Sequence, residues 1–342
     1  MTDAATFIAG MPKGELHMHL EGTIDAARRE TLAHRNGITL AARGGSDSGE
    51  TQAYTSLEDF LRVYYEGLEV LVEERDFHEL TLAFLTRCRD ENIVYAELSF
   101  DPQPHLARNV PIEHVMNGIQ SAREDAQSAL GIQSNLIMCV NRDRPLEEAW
   151  PLFDAVRPWR DQIVGFGLDS AEHGNPPSKF AALYERARDE GYRLTAHCDV
   201  DQEDSIEPIR QCLSLLGVER IDHGVNSLED PGVIDQLRAR NICLTVCPTW
   251  RSSDPGPRRL RRLRQLYEAG VRVTLNTDDP ALFPSGYLTH LMTRVHQDGD
   301  YTLSDMLSFS RNAFLGSFAT HETITGCIAQ LDAYAEQHGI TQ

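Results

Sequence analysis

Two histidines two residues apart, His17 and His19, are the first residues in this chain whose types and spacing could do chemistry. They sit in Pro12-Lys13-Gly14-Glu15-Leu16-His17-Met18-His19-Leu20-Glu21-Gly22, where apolar and polar residues alternate. On an extended strand, side chains i and i+2 share a face, so both imidazoles can reach one metal ion while Met18 turns away. A lone His-x-His reads equally well as a solvated strand face. Its weight here comes from the rest of the chain. Asp101, Asp169 with Ser170 and Glu172, His197 with Asp199, Asp222 with His223, and Asp278 with Asp279 each close a short apolar run.

Those runs alternate with helical patterns. A helix is expected over Ile24 to Asn36, closed by Gly37, then a polar loop from Arg43 to Glu50 that is a candidate lid. Helices follow over Ser56 to Glu73, with capping-box spacing between Ser56 and Asp59, and over Asp76 to Glu91. The expected strands after the His-x-His strand are Ile93 to Asp101, Asn135 to Val140, Val164 to Asp169, Arg193 to Cys198, Arg220 to His223, Ile242 to Cys247 and Arg272 to Asn276. Between them lie helices at Ile112 to Leu130, Ser178 to Glu190, Ile206 to Leu216, Pro231 to Arg240 and Pro257 to Ala269, and Thr302 to Gln342 reads as two or three more. Eight strands joined by helical crossovers imply an α/β protein with a closed (β/α)8 TIM barrel, a single domain over 1–342 with additional helices. Barrel chemistry gathers at the C-terminal strand ends, where these polar residues stand.

Three imidazoles and a carboxylate suit zinc, with ferrous iron as the alternative, and leave a position for water. The assigned ligands are His17, His19, His197 and Asp278. A second ion in such a barrel usually needs a carboxylated lysine, but the only lysines are Lys13 and Lys179, neither at the end of a middle strand, so one ion is expected. His223 then remains as a non-ligand imidazole that orients or deprotonates the water the cation acidifies.

Composition limits the partners. The chain has 32 basic and 52 acidic side chains, a net charge of -20, which repels phosphate backbones and argues against nucleic acid. Seven scattered cysteines without paired spacing fit reduced thiols. No long apolar run precedes Pro12, so neither signal peptide nor membrane span is expected and a cytoplasmic location follows. Oligomeric state is not legible.

The motifs PKGELHMHLEG, GFGLDSAE, TAHC, IDHG and LNTDDP, in this order, resemble the adenosine/adenine deaminase branch of the metal-dependent amidohydrolases. The resemblance covers nearly the whole chain. It implies the same four metal ligands, His223 assisting the attacking water, and Asp279 contacting the purine. The implied reaction is hydrolytic deamination of a 6-aminopurine to the 6-oxopurine and ammonia. Adenosine enzymes tend to carry Asp where this chain has Glu21, and HLEG, GLDSAE, Pro176-Pro177 and Phe100 to Gln103 look more like adenine deaminases. Glu21, Ser170 and Glu172 join Asp279 as candidate substrate-binding residues. Modified adenines or related heterocycles are alternative substrates, and a purine-binding pseudoenzyme is the alternative class.

Two departures from the family pattern concern the pocket. The family follows its third histidine with Ala-Gly-Glu, whose glutamate protonates the ring, but His197 is followed by Cys198-Asp199-Val200-Asp201-Gln202-Glu203. Val200 cannot donate a proton. Asp199, two residues from His197, shares its face if the strand continues and is the expected acid, ahead of Asp201 and Glu203. After the seventh strand the chain reads Cys247-Pro248-Thr249-Trp250-Arg251, then Arg258, Arg259, Arg261, Arg262 and Arg264. That arginine run reads first as a helix face paired with acidic neighbours. Alternatively, Trp250 stacks on a ring and Arg251 meets an anionic substituent.

Overall fold

The computed structural model describes residues 3–40, 54, 56–198, 206–249 and 258–340. Eight parallel strands follow one another in chain order: β1 (Lys13–Glu15), β2 (Ile93–Phe100), β3 (Gln133–Asn141), β4 (Ile163–Asp169), β5 (Arg193–Cys198), β6 (Arg220–His223), β7 (Cys243–Val246) and β8 (Arg272–Leu275). This is the expected (β/α)8 barrel. The strands are buried on both faces, so they read as near-continuous apolar runs such as Leu136 to Val140.

β1 is shorter than expected. His17 to His19 lie beyond its last residue, in extended chain that makes only isolated bridges, Met18 with Asp278 and His19 with Ser99. The His19 amide donates to the Asp278 carbonyl (2.9 Å) and the Asp278 amide to the His17 carbonyl (3.0 Å). The barrel therefore closes between the first and last strands at the level of the candidate ligands.

Local chemistry sets the helices. Ser56 accepts the Asp59 amide at 3.1 Å and starts Leu57–Leu68, which stops short of the expected Glu73. Gly131, at φ 71°, ends Ile112–Leu130 in the left-handed region that favours glycine. The expected helix over Ile206 to Leu216 is α-helical to Gln211 and then opens into a π-turn over Cys212–Leu216.

Helices at Ala4–Gly10, Pro102–Ala107, Trp150–Ala155 and Leu288–Asp298 were not foreseen. The first is bound to β1 by Lys13, whose buried ammonium donates to the carbonyls of Ile8 (2.8 Å), Ala9 (3.0 Å) and Met11 (2.8 Å). Those carbonyls lie at the helix C-terminus, where a cation is favoured. Within the barrel, Arg220 is buried against Glu97 (2.5 Å) and stacks on Phe318. None of the seven cysteines forms a disulfide, and all are buried. Among the described residues no helix is long and apolar enough to cross a membrane.

Candidate active site

Three imidazoles converge at the C-terminal mouth of the barrel. The His17 and His197 Nε2 atoms are 2.9 Å apart, and those of His19 and His197 are 3.1 Å apart. Asp278 Oδ1 lies 3.3 Å from His17 Nε2 and 3.5 Å from His19 Nε2, and Asp278 Oδ2 lies 3.8 Å from His223 Nε2. All five residues named for the metal and its water are thus brought together.

The outward nitrogens explain the inward ones. His17 Nδ1 meets the Thr245 carbonyl (3.1 Å) and hydroxyl (3.0 Å), and the Thr245 hydroxyl donates to Asp222 (2.7 Å). Because that hydroxyl gives its proton to a carboxylate, it can only accept from His17, which places the His17 proton on Nδ1. His197 Nδ1 donates to the Leu168 carbonyl at 3.1 Å, and His19 Nδ1 faces Asp169 Oδ2 at 3.6 Å. Outward donation by His17 and His197 leaves their Nε2 lone pairs pointing at one another. Such an arrangement repels itself unless a cation sits between them, so the donor set fits a divalent metal held by His17, His19, His197 and Asp278.

Electrostatics agree. Burial and the neighbouring His17 push His197 well below its ordinary value, and burial takes His223 down to about 3, so both are neutral. Burial opposes charge on Asp278, but the histidines outweigh it and hold the carboxyl well below the usual range. Burial also disfavours a charged His17, yet Asp278 and Asp222 hold it up at about 8. The centre draws in one positive charge. On the other wall, burial and then the neighbouring Asp278 raise Asp279 far above a normal carboxyl, leaving it a proton donor.

The ligands open into a cavity walled by Leu57, Phe60, Leu61, Tyr64 and Phe283, with Asp101, Asp169, Ser170 and Asp279 as its polar groups. Ser170, His223 and Asp278 are non-glycine residues at φ 70°, 72° and 61°. Backbone strain of this kind costs about 1–3 kcal/mol per residue and gathers at functional sites, where it aims a side chain. The Ser170 hydroxyl is held by Asn141 (3.0 Å) and Tyr65 (2.8 Å).

Two substrate candidates stand elsewhere. Glu172 does not line the cavity; its carboxylate lies 3.6 Å from the buried Arg142, which also donates to the His197 carbonyl at 2.9 Å. Glu21 lies behind the lining, where its Oε1 accepts from His105 Nε2 (2.9 Å) and the Asp101 amide (3.3 Å). His105 carried no sequence signal beyond following Phe100 to Gln103. The expected acid Asp199, with Asp201, Glu203, Trp250, Arg251 and the loop from Arg43 to Glu50, lies outside the described residues. Of the arginine run, Arg262 reaches Glu229 at 3.2 Å, as a paired face requires, and Arg259 donates to the Cys247 carbonyl at 3.2 Å.

The adenosine deaminase family model matches residues 12–334. Among curated relatives, the adenine deaminase of Chlorobium luteolum is 41% identical over 319 residues, covering 93% of both chains. That of Rhodopseudomonas palustris is 37% identical over 342 residues, covering 99% of both. Among solved structures, adenine deaminase from Arthrobacter aurescens superposes with a TM-score of 0.87 at 32% identity, covering 96% of this chain and all of that one. An amidohydrolase from Burkholderia ambifaria, with bound Zn, gives 0.86 at 25% identity, covering 99% and 96%. With the ligand geometry and the match over nearly its whole length, the chain belongs to the adenosine deaminase family of metal-dependent hydrolytic deaminases.

Proposed function

We propose that this chain hydrolytically deaminates a 6-aminopurine, free adenine ahead of adenosine, with one zinc ion as its working metal. The observation that carries the reading is the convergence of three Nε2 atoms and Asp278 on a cavity whose walls are aromatic and whose polar groups include a protonated carboxyl. His17, His19, His197 and Asp278 would hold the cation, which when bound would acidify water for attack on C6. Phe60 and Phe283 offer apolar faces to the flat ring system. Asp279, carrying its proton, donates to an unprotonated ring nitrogen and orients the purine. His223, neutral and beside Asp278, positions the attacking water and receives its proton. Asp199 protonates the ring nitrogen next to C6 as negative charge builds there, a contribution worth about 10²- to 10⁴-fold. The C6–N bond then breaks, so adenine and water become hypoxanthine and ammonia.

Glu21, longer by a methylene than the aspartate expected near a ribose, supports the preference for the free base. The names of the bacterial relatives support it too, and the zinc of the Burkholderia amidohydrolase supports the choice of ion. The test is ammonia release by zinc-loaded protein from adenine, adenosine and N6-methyladenine. Adenine should give the highest kcat/KM. Adenosine turnover about tenfold above adenine would overturn the preference, and no ammonia from any of the three would overturn the reading.

A further inference from the structure

We infer that Arg220 is a positioning residue for the metal centre, acting through Asp222, a single carboxylate that stands behind two of the ligand imidazoles. The inference rests on reading His17, His19, His197 and Asp278 as the metal ligands. Neither Arg220 nor Asp222 lines the cavity. In the barrel register His197 of β5, Asp222 of β6 and Thr245 of β7 stand side by side, and two residues earlier Thr195, Arg220 and Cys243 do the same. Side chains two apart on a strand share a face, so Arg220 and Asp222 turn the same way, into the buried interior.

Asp222 is tied on both oxygens. Oδ1 accepts from the Thr245 hydroxyl and Oδ2 from the Thr195 hydroxyl, each at 2.7 Å. Thr245 passes the contact on to His17 Nδ1 at 3.0 Å, and Asp222 Oδ2 itself lies 3.5 Å from His197 Nδ1. One negative charge therefore faces the outward nitrogens of two ligands at once.

A buried carboxylate needs a counter-charge, and Arg220 supplies it. Its Nη1 reaches across the barrel to Glu97 Oε2 on β2 at 2.5 Å, its guanidinium packs over the Phe318 ring at 4.3 Å, and its Nε comes within 3.5 Å of Asp222 Oδ1. Glu97 is held in turn, its Oε1 accepting from the Tyr95 hydroxyl (2.8 Å) and the Phe318 amide (2.5 Å). Arg220 Nε and Nη2 have no hydrogen-bond partner among the described residues. Arg220 thus acts on Asp222 as a nearby charge, anchored from the far wall. Without it the carboxylate is free to turn about its Cβ–Cγ bond, and the two threonine hydroxyls, with the Nδ1 protons behind the metal, lose their fixed directions.

The experiment measures zinc affinity by chelator competition at one pH in full-length protein, with Tm alongside, for Arg220→Met, Asp222→Asn and the double variant. Each single change should weaken zinc binding by about tenfold or more, as loss of an outer partner does. The double variant should bind within about threefold of Asp222→Asn, because Arg220 acts through Asp222. Arg220→Lys, which keeps the charge, should bind at least about threefold more tightly than Arg220→Met. A merely structural role lowers Tm and leaves zinc affinity unmoved. Unchanged or tighter zinc binding in Arg220→Met, or losses that add in the double variant, would overturn the inference. If Arg220→Met does not fold, Arg220→Gln combined with Glu97→Gln, which removes the ion pair whole, takes its place in the same cycle. Unchanged zinc affinity in His19→Ala would instead overturn the ligand reading beneath the inference.

Discussion

His19 and Asp278 are joined backbone to backbone: the His19 amide donates to the Asp278 carbonyl at 2.9 Å while their side chains approach to 3.5 Å at the metal centre. The seam that closes the barrel is the same one that carries three of the four candidate ligands. Misplacing the last strand would open the fold and the site together. The Asp278 conformation, at φ 61°, turns its carboxylate inward and lets its carbonyl continue the ladder.

His19→Ala should lose metal and turnover together. Thr245→Val removes the hydroxyl that accepts from His17 Nδ1 and donates to Asp222, leaving the Thr245 carbonyl as acceptor, so it should weaken metal affinity by up to about 10- to 100-fold, the usual effect of an outer partner. Metal titration of both variants against a chelator checks this. Unchanged affinity in His19→Ala would remove it from the ligand set.

The proton donor is tested by single turnover. Asp199→Asn should fall below about a tenth of the wild-type rate with metal retained, while Asp201→Asn and Glu203→Gln stay close to wild type. An Asp199→Asn enzyme above that tenth would transfer the role to another proton path.

Gly22→Ala probes the close approach of two segments. Its Cβ would meet Asp279 Oδ1 at 2.0 Å and Asp279 Cβ at 2.8 Å, so Asp279 must move. We expect kcat/KM to drop by about 10²-fold, as misplacement of a positioning group does, with metal content preserved. Activity within about threefold of wild type would mean that the placement of Asp279 does not matter to the reaction.

His105 should contribute to acid sensitivity. Burial, then the Arg108 guanidinium, take its pKa from 6.5 down to about 3. Between those values the unfolded chain binds a proton that the folded one refuses, so stability falls as pH falls through that window. His105→Gln lacks this term. From pH 7 to pH 5 the wild type should lose about 2 kcal/mol more than the variant, read from urea midpoints. Parallel curves would contradict a neutral, buried His105.

Much of the site was legible because barrel chemistry sits at strand ends, and strand ends can be located from short apolar runs. His17, His19, His197, His223, Asp278 and Asp279 were found in that way. What escaped depends on long-range packing. His105 meets Glu21 across 84 positions from a helix too short to show periodicity, and Glu172 approaches the buried Arg142 at 3.6 Å. The left-handed backbone at Ser170, His223 and Asp278 has no residue-type signature, since none is glycine. Helix ends shifted for a similar reason: the amphipathic pattern from Ser56 runs on past Leu68, where the α-helix stops.

Metal stoichiometry measured with turnover tests the central claim most directly. Metal-free protein, titrated with zinc while hypoxanthine and ammonia are followed from adenine, should gain activity linearly and saturate at a single equivalent per chain. Full adenine deamination before any ion is added, or a break at two equivalents, would contradict a site in which His17, His19, His197 and Asp278 hold one catalytic cation.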